Sequence, residues 1–412
     1  MSCKVKNIVI VTGVFFLLGV QVSLNAQRKH RLKPQSQVLQ TVSTGLQESA
    51  GQYRHLMQQL QPDQWPRTFE NGRLLTVNLR AWISGFYPGT LLYLYEFSKD
   101  EALLAEARKK IEKMEELKTM TGHHDLGFMM YCSYGHALRL FPDDRYKDIL
   151  VRSAKSLATR FDPRVGCIKS WDGIASLDKK RMLNFPVIID NMMNLELLFF
   201  ASKVTGEPYF KDIAIKHAEM TMQHHLRPDF SSYHVVDYDV QTGKVNSRET
   251  QQGFSDNSTW SRGQAWGIYG FTMVYRETKD PRFLETACKM ADFFINHSNL
   301  PPDRIPYWDF NVGQPGFDPP WKYDPSRYKE IPRDASAAAI TASALIELAG
   351  YVNKKQGAIY QKAAEEMITS LSSPAYRAAN GSNGGFILKH ASGGIPGNVE
   401  VDVPLTYDDY YY

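Results

Sequence analysis

The chain has 412 residues, 43% of them apolar and 22% charged, and 48 basic against 44 acidic residues give a formal net charge of +4. This is ordinary globular composition, which excludes a disordered, collagenous or polytopic membrane protein. The basic residues do not cluster as they do in nucleic-acid-binding proteins, so no nucleic-acid partner is predicted. Aromatic residues make up 12% of the chain, a proportion that suits either a sugar-binding groove or a large core.

The first 26 residues have the pattern of a secretory signal peptide. Two lysines precede an apolar run at residues 8–20, and small residues up to Ala26 offer a cleavage point. An uncleaved membrane anchor is the alternative, but the run is short for a membrane-spanning helix, which needs about 20 apolar residues. The sequence therefore predicts a signal peptide at residues 1–26, a periplasmic or secreted protein without stable membrane insertion after cleavage, and a single domain over residues 27–412.

Two kinds of helix alternate along the rest of the chain. Amphipathic helices, with apolar residues at three- and four-residue spacing, begin at residues 100, 144, 207, 280 and 356. Each starts with a polar or acidic residue, often followed by Pro, as is common at helix starts. Each is preceded by a helix that is apolar nearly all round and therefore buried, and these are predicted at residues 82–95, 125–140, 190–204, 260–275 and 334–351. A sixth buried helix begins at Tyr407, and a further helix at about 35–60 precedes the first.

Repeating helical hairpins of this size form either a solenoid or a closed ring. Here the connections from each outer helix to the next inner one are long, and they collect at the N-terminal ends of the inner helices: 161–189, 226–259, 298–333 and 372–406. Long loops gathered at one end are usually functional. The pattern predicts a ring of six inner and six outer helices with a site at that end. Residues 233–252 read as a small β-hairpin that turns at Thr242 and Gly243, which would be part of the site or a plain cap over it.

Several inner-helix starts carry residues suited to chemistry. Asp190 lies in an apolar run, where burial would raise its pKa and make it a candidate proton donor. Asp125 follows His123 and His124. Because Asp is also a favoured N-cap, each carboxylate could simply cap its helix, and Asp334 is interpreted mainly as a cap.

Cofactors and metals are not predicted. Adjacent histidines such as His123 and His124 do not easily reach one ion together with Asp125, and no helical pair of histidines accompanies them. The chain also lacks a phosphate loop and a dinucleotide fingerprint. Four tryptophans near the inner-helix starts either stack on sugar rings or fill the centre of the ring: Trp82, Trp171, Trp260 and Trp266.

Four motifs carry a resemblance to a known family. They are Trp-Ile-Ser-Gly-Phe-Tyr-Pro-Gly at 82–89, His-Asp-Leu-Gly-Phe at 124–128, Asp-Asn-Met-Met-Asn at 190–194 and Thr-Trp-Ser-Arg-Gly-Gln-Ala-Trp at 259–266. With them, the stretch from about residue 70 to 412 resembles the unsaturated glucuronyl hydrolases, glycoside hydrolase family 88. The third motif separates this family from the unsaturated rhamnogalacturonyl hydrolases, which are one alternative. A polysaccharide lyase on an α/α toroid and a non-catalytic sugar-binding repeat are the others.

The resemblance implies an (α/α)6 barrel and a role for each matching residue. The general acid/base corresponds to Asp190, and the carboxylate that holds the sugar hydroxyls corresponds to Asp125, beside His124. The residues that grip the unsaturated uronate correspond to His234, Gln252, Arg262 and Trp266, although Arg262 could instead brace loops. Stacking tryptophans correspond to Trp82 and Trp171, and a substrate-contacting C-terminal loop corresponds to Lys389, His390 and Ser392.

The implied substrate is the fragment that a polysaccharide lyase leaves, with a C4=C5 double bond in its terminal uronate, and we expect a glycosaminoglycan source. The family hydrates this bond instead of attacking the anomeric carbon, so the usual two-carboxylate glycosidase scheme does not apply. In the family the final Tyr-rich stretch begins a full inner helix. Here it ends after barely a turn, which indicates either a shortened chain or incomplete closure of the ring.

Overall fold

The computed structural model describes residues 32–412, and the predicted signal peptide at 1–26 lies outside them. In chain order, the first helices are α1 Ser36–Gln59, α2 Phe86–Ser98, α3 Glu101–Met114, a π-helical segment Gly127–Gly135 that continues into α4 His136–Leu140, and α5 Asp144–Ala158. They are followed by α6 Leu195–Thr205, α7 Pro208–His224, α8 Ser261–Thr278, α9 Pro281–Asn296, α10 Ala335–Ala349, α11 Lys354–Leu371 and α12 Thr406–Tyr411. Inner and outer helices alternate, as the sequence predicts.

Burial separates the two kinds of helix. Inner helix α10 buries residues on every side, and alanines at 7 of its 15 positions let neighbouring helices approach closely. Outer helix α9 buries one stripe, which includes Phe283, Met290 and Phe294. Short α12 contacts both α2 and α10, and α1 contacts α11, so the first and last helical hairpins are joined. No helix among residues 32–412 combines the length and hydropathy that a membrane span requires.

Three inner elements begin differently from the predicted α-helices. The first inner helix starts at Phe86 and not at residue 82, because residues 78–85 form turns. The second starts as a π-helix, and the third starts with the 3-10 turn Ile189–Asn194. A Cβ on Gly127 would lie 2.4 Å from the Cα of Asn194, so these two starts are in very close contact. Such irregular turns are frequent at functional sites, and both lie next to the candidate carboxylates.

Four small sheets cover the loop end of the ring. They pair β1 Trp65–Glu70 with β2 Arg73–Val77, β3 Phe161–Asp162 with β4 Cys167–Ile168, β5 Pro186–Ile188 with β6 Val235–Tyr238 and β7 Val245–Glu249, and β8 Ala391–Gly394 with β9 Val399–Val403. The predicted hairpin is confirmed as β6–β7. Gly243 has φ +70°, and a Cβ there would lie 2.3 Å from the Arg164 carbonyl, so the turn requires glycine.

Strand β5 was not predicted, and it determines where the candidate acid lies. It pairs with β6 so that Ile188 lies opposite Val235. The Ile189 amide then donates to the His234 carbonyl at 3.0 Å. Because this pairing fixes the backbone on both sides, Asp190 and His234 are held next to each other.

Candidate active site

The two predicted carboxylates are both buried and both have a raised pKa. Burial, and then the charge of Asp125, raise the pKa of Asp190 to about 7, while the charge of Arg262 opposes the shift. Burial raises the pKa of Asp125 to about 7, and the Asn194 amide opposes it. Interacting acids titrate as a pair. Near neutral pH such a pair can hold one proton, with one member acid and the other ionised.

The Asp125 side chain makes its contacts outside its own helix. Its Oδ1 accepts a hydrogen bond from Nδ2 of Asn194 at 3.1 Å, and its Oδ2 lies 3.3 Å from Nε2 of His124. The Asn194 Oδ1 accepts from the Phe128 amide at 3.0 Å, so this side chain joins the two inner starts. Asp334 caps α10 by accepting from the Ser336 amide at 3.1 Å. The interpretation of Asp334 as a cap is therefore confirmed.

His124 and His123 are neutral at physiological pH. Burial lowers the pKa of His124 well below its ordinary value, and burial with the nearby Arg160 charge lowers the pKa of His123 to about 4. The ligand atoms of these histidines and Asp125 lie within 4.8 Å of one another. However, Nδ1 of His123 already accepts the Asp125 amide at 3.1 Å. The geometry is that of a hydrogen-bonded turn, and the absence of a metal stays a prediction.

His234 presents an N–H group to Asp190. Its Nδ1 accepts the amides of Gln251 and Gln252 at 3.1 and 3.2 Å, so the proton of the neutral ring is on Nε2. Nε2 lies 3.8 Å from Oδ1 of Asp190. Burial, followed by the Arg262 charge, lowers the pKa of His234 to about 3. His234 is thus a neutral hydrogen-bond donor.

Four buried polar atoms of predicted site residues make no hydrogen bond to any other residue among 32–412. They are Nε2 of His124, Oδ1 of Asp190, Nε2 of His234 and Nε1 of Trp266. Buried polar atoms are normally hydrogen-bonded, so a group of unpartnered ones needs an explanation such as a bound ligand or water. Trp171 lies beside both histidines, with ring centroids 6.2 Å from His124 and 6.0 Å from His234. These residues form a polar cradle with an aromatic wall.

Two other predicted tryptophans pack differently. Trp266 is fully buried against Phe128, with ring centroids 5.1 Å apart, so it fills the centre of the ring while its N–H stays unpartnered. Trp82 is half-buried and packs on Phe128 and Tyr407. Its partial exposure is compatible with the predicted stacking role.

Arg262, Gln252 and Ser392 are engaged with one another through the C-terminal loop. Arg262 donates from one terminal nitrogen to the Ser392 carbonyl at 2.6 Å and from the other to the Gly393 carbonyl at 2.7 Å. Nε2 of Gln252 donates to the same Gly393 carbonyl at 2.7 Å. These contacts agree with the alternative prediction, in which Arg262 braces loops. A direct grip on the uronate by either residue stays a prediction.

Lys389 and His390 make their contacts away from the carboxylates. The Lys389 ammonium donates to the Pro374 carbonyl at 2.8 Å, and Nδ1 of His390 lies 2.6 Å from Oδ1 of Asp402. His390 also has φ +63°, which turns the chain at this point. Neither side chain makes a hydrogen bond or ion pair with the cradle residues among 32–412, so their contact with substrate stays a prediction, while their neighbour Ser392 accepts a hydrogen bond from Arg262.

The residues that support the carboxylates are not among the predicted site residues. Asn194 holds Asp125, and Asn191 donates from Nδ2 to the Ile168 carbonyl and the Ser170 hydroxyl, each at 2.9 Å. Both asparagines belong to the 190–194 motif, and their spacing from Asp190 was the available signal. Ser170 also accepts the Ile188 amide at 3.0 Å and so fixes β5, for which the sequence offered no signal.

Comparison with known proteins decides the family. No family model matches the chain. It is 45% identical over 334 residues to an unsaturated glucuronyl hydrolase of Formosa agariphila, covering 81% of this chain and 78% of that protein. It is 31% identical over 360 residues to an unsaturated glucuronyl hydrolase of Bacillus sp. strain GL1, covering 85% and 89%. The chain belongs to the unsaturated glucuronyl hydrolase family.

Solved structures of unsaturated glucuronyl hydrolases share the fold. One that is specific for heparin matches with a TM-score of 0.83 at 43% identity, covering 90% of this chain and 95% of that one. One from Bacillus sp. GL1, responsible for the degradation of glycosaminoglycan, matches with a TM-score of 0.78 at 29% identity, covering 91% and 94%. The predicted (α/α)6 barrel and the predicted glycoside hydrolase family are confirmed.

Proposed function

We propose that this unsaturated glucuronyl hydrolase removes the 4,5-unsaturated uronic acid from the non-reducing end of lyase-generated oligosaccharides. The observation that carries the proposal is the buried Asp190 carboxyl, with a pKa raised to about 7 and with unpartnered polar atoms around it. A carboxyl of that pKa is protonated in a large share of molecules at neutral pH, as a general acid requires.

The reaction hydrates the C4=C5 double bond. Asp190 gives its proton to C4, and positive charge develops at C5, where the ring oxygen stabilises it. Water adds to C5 and returns a proton to the Asp190 carboxylate, so the acid is regenerated. The product at C5 is a hemiketal, which opens and releases the neighbouring sugar.

The residues around Asp190 are suited to binding the substrate while Asp190 donates the proton. Asp125, ionised while Asp190 is protonated, accepts hydrogen bonds from sugar hydroxyls, and Asn194 holds it in place. The N–H groups of His234 and Trp266 supply donors that have no hydrogen-bond partner among the described residues. Trp171 supplies an aromatic surface beside them. This arrangement binds a polar, flat, unsaturated ring and delivers one proton to it.

The substrate class we propose is glycosaminoglycan-derived. In support, one similar structure is of an enzyme specific for heparin, and a relative from Streptococcus pyogenes that is 31% identical over 352 residues is an unsaturated chondroitin disaccharide hydrolase. The test is the rate of loss of ultraviolet absorbance with unsaturated disaccharides from chondroitin, hyaluronan and heparin digests. Asp190→Asn serves as the inactive control.

The same assay separates the alternatives. A lyase would create the chromophore from intact polysaccharide, and an unsaturated rhamnogalacturonyl hydrolase would consume only pectin-derived unsaturated disaccharides. A non-catalytic sugar-binding protein would leave every chromophore intact. Consumption of none of the three glycosaminoglycan disaccharides would contradict the proposal.

We also propose that the protein is exported, to the periplasm or beyond, because residues 1–26 have the pattern of a signal peptide. Mass spectrometry of the protein from its native cells is expected to show an N-terminus at Gln27. An intact Met1 in a cytoplasmic fraction would contradict export.

A further inference from the structure

Asp334 has a second contact besides its helix cap. It is fully buried, and its Oδ2 accepts a hydrogen bond from the Arg262 guanidinium at 2.7 Å. Arg262 is itself 1% exposed, and its charged group lies 4.6 Å from the Trp260 ring centroid and 5.1 Å from that of Tyr407. A buried guanidinium held between two rings has little freedom to turn, so its direction depends on the carboxylate that it faces.

The same guanidinium organises the C-terminal loop. Its terminal nitrogens donate to the carbonyls of Ser392 and Gly393, and the Ser392 hydroxyl donates to the Arg333 carbonyl at 3.0 Å, one residue before Asp334. Gly393 packs closely on β9, because a Cβ there would lie 2.8 Å from the Cβ of Glu400. The start of α8, the start of α10 and strand β8 therefore meet at one ion pair.

We infer that Asp334 is a positioning residue of the active site: it fixes the Arg262 guanidinium against the loop carbonyls and sets the net charge that Asp190 experiences. The kinetic test of this inference rests on the proposed function. The titration of Asp190 does not, because it is measured without turnover. Asp334 touches neither substrate nor reacting atoms in this scheme and acts through Arg262.

The charges around the pair determine the sign of the effect. Asp190 faces Asp125, Arg262 and the neutral His234. Burial opposes the charge of Arg262, but Tyr407, Asp334, Asp190 and Glu400 outweigh burial and raise the pKa of the guanidinium. Removal of the Asp334 charge leaves the positive charge of Arg262 without its counter-ion. The net potential at Asp190 becomes more positive, which stabilises the Asp190 carboxylate and lowers the pKa of Asp190.

The test is Asp334→Asn, which keeps an N-cap side chain but removes the charge. We expect the pKa of Asp190 to fall by roughly 0.5–1 pH unit, as for a nearby charge in a protein of effective dielectric constant about 20. The alkaline limb of kcat/KM then moves to lower pH by the same amount. The pKa is read without turnover from the ¹³C signals of labelled aspartate carboxyls, where the Asp190 signal is the one missing in Asp190→Asn.

The matched control is Asp280→Asn. Asp280 also caps a helix, by accepting the Arg282 amide at 2.9 Å, and also pairs with an arginine, but it lies on the outer ring. It should leave the pKa of Asp190 unchanged. A folded Asp334→Asn variant with the wild-type Asp190 titration would overturn the inference, even if the wild type proved inactive on every unsaturated disaccharide.

A second variant tests the inference if Asp334→Asn does not fold. If thermal unfolding shows that Asp334→Asn is not folded, Asp334→Glu keeps the charge but shifts the carboxylate. We expect it to retain the wild-type alkaline limb with kcat/KM reduced at least about tenfold, the size of a 1.4 kcal/mol loss. An Asp334→Glu enzyme with unimpaired kcat/KM would overturn the inference.

Discussion

Asn194→Ala tests how the protein keeps one carboxylate ionised beside another. The change removes the Nδ2 donor that lies 3.1 Å from Oδ1 of Asp125. A hydrogen bond to a charged group contributes about 1.5–3 kcal/mol, and about 1.4 kcal/mol corresponds to one pKa unit. The pKa of Asp125, already raised to about 7, is therefore expected to rise further by about 1–2 units.

The sign of the kinetic effect follows from the role of Asp125 as the ionised partner. At a pH near 7 the ionised fraction of Asp125 would fall from about one half to between about one tenth and one hundredth, so kcat/KM falls about 5- to 50-fold. The acid limb of the pH profile moves to higher pH. Because folding raises the pKa of Asp125, ionising this buried carboxyl lowers the stability of the folded protein as the pH rises from the ordinary aspartate value through the folded pKa, and a higher pKa in Asn194→Ala extends that loss to higher pH.

The assay is kcat/KM for loss of the unsaturated chromophore between about pH 5 and 9, with thermal unfolding of each variant. Asn311→Ala is the matched control, because the Oδ1 of Asn311 also accepts a backbone amide, that of Thr259, at 3.0 Å. Each variant leaves one buried amide unpaired, which costs about 1–3 kcal/mol of stability. Only Asn194→Ala should move the acid limb. An unchanged limb in that variant would refute the account of Asp125.

Three further outcomes are expected. Asp190→Asn should abolish turnover with a nearly unchanged unfolding temperature, because the side chain is already buried and largely desolvated; near-wild-type rates would contradict its role as acid. Asp125→Asn should also lose most activity, and normal turnover would support a purely structural role for this side chain. Chelation should leave the rate unchanged, whereas loss on chelation that a divalent ion restores would reveal a metal at His123, His124 and Asp125.

Sequence alone predicted the architecture because its signals are local. Helices that are apolar on every side alternate with helices that are apolar on one side, and this alternation predicted the inner and outer helices. The Thr242–Gly243 turn predicted the hairpin. Strand β5 could not be predicted, because a short apolar run before Asp190 has the same pattern whether it starts a buried helix or forms a strand. Only its pairing with β6, about 50 residues later, distinguishes the two.

The candidate site was predictable in its carboxylates and histidines but not in its supports. Resemblance to the family assigned Asp190, Asp125 and His234, and the structure brings them together. The contact of Arg262 with the carbonyls of Ser392 and Gly393 could not be foreseen, because backbone acceptors 130 residues away leave no mark in side-chain patterns. Asp334 could be recognised as a cap, whereas its ion pair with Arg262 required the three-dimensional packing.

The most direct test of the central claim is the fate of the proton that Asp190 delivers. Turnover in heavy water is expected to place deuterium at C4 of the released 4-deoxy product, because the Asp190 carboxyl exchanges with solvent between turnovers. Mass spectrometry and NMR of the first-formed product locate the label while the chromophore disappears. A glycosidase of the usual kind would protonate the bridging oxygen. A first product with an unlabelled C4 and an intact double bond would contradict hydration by Asp190.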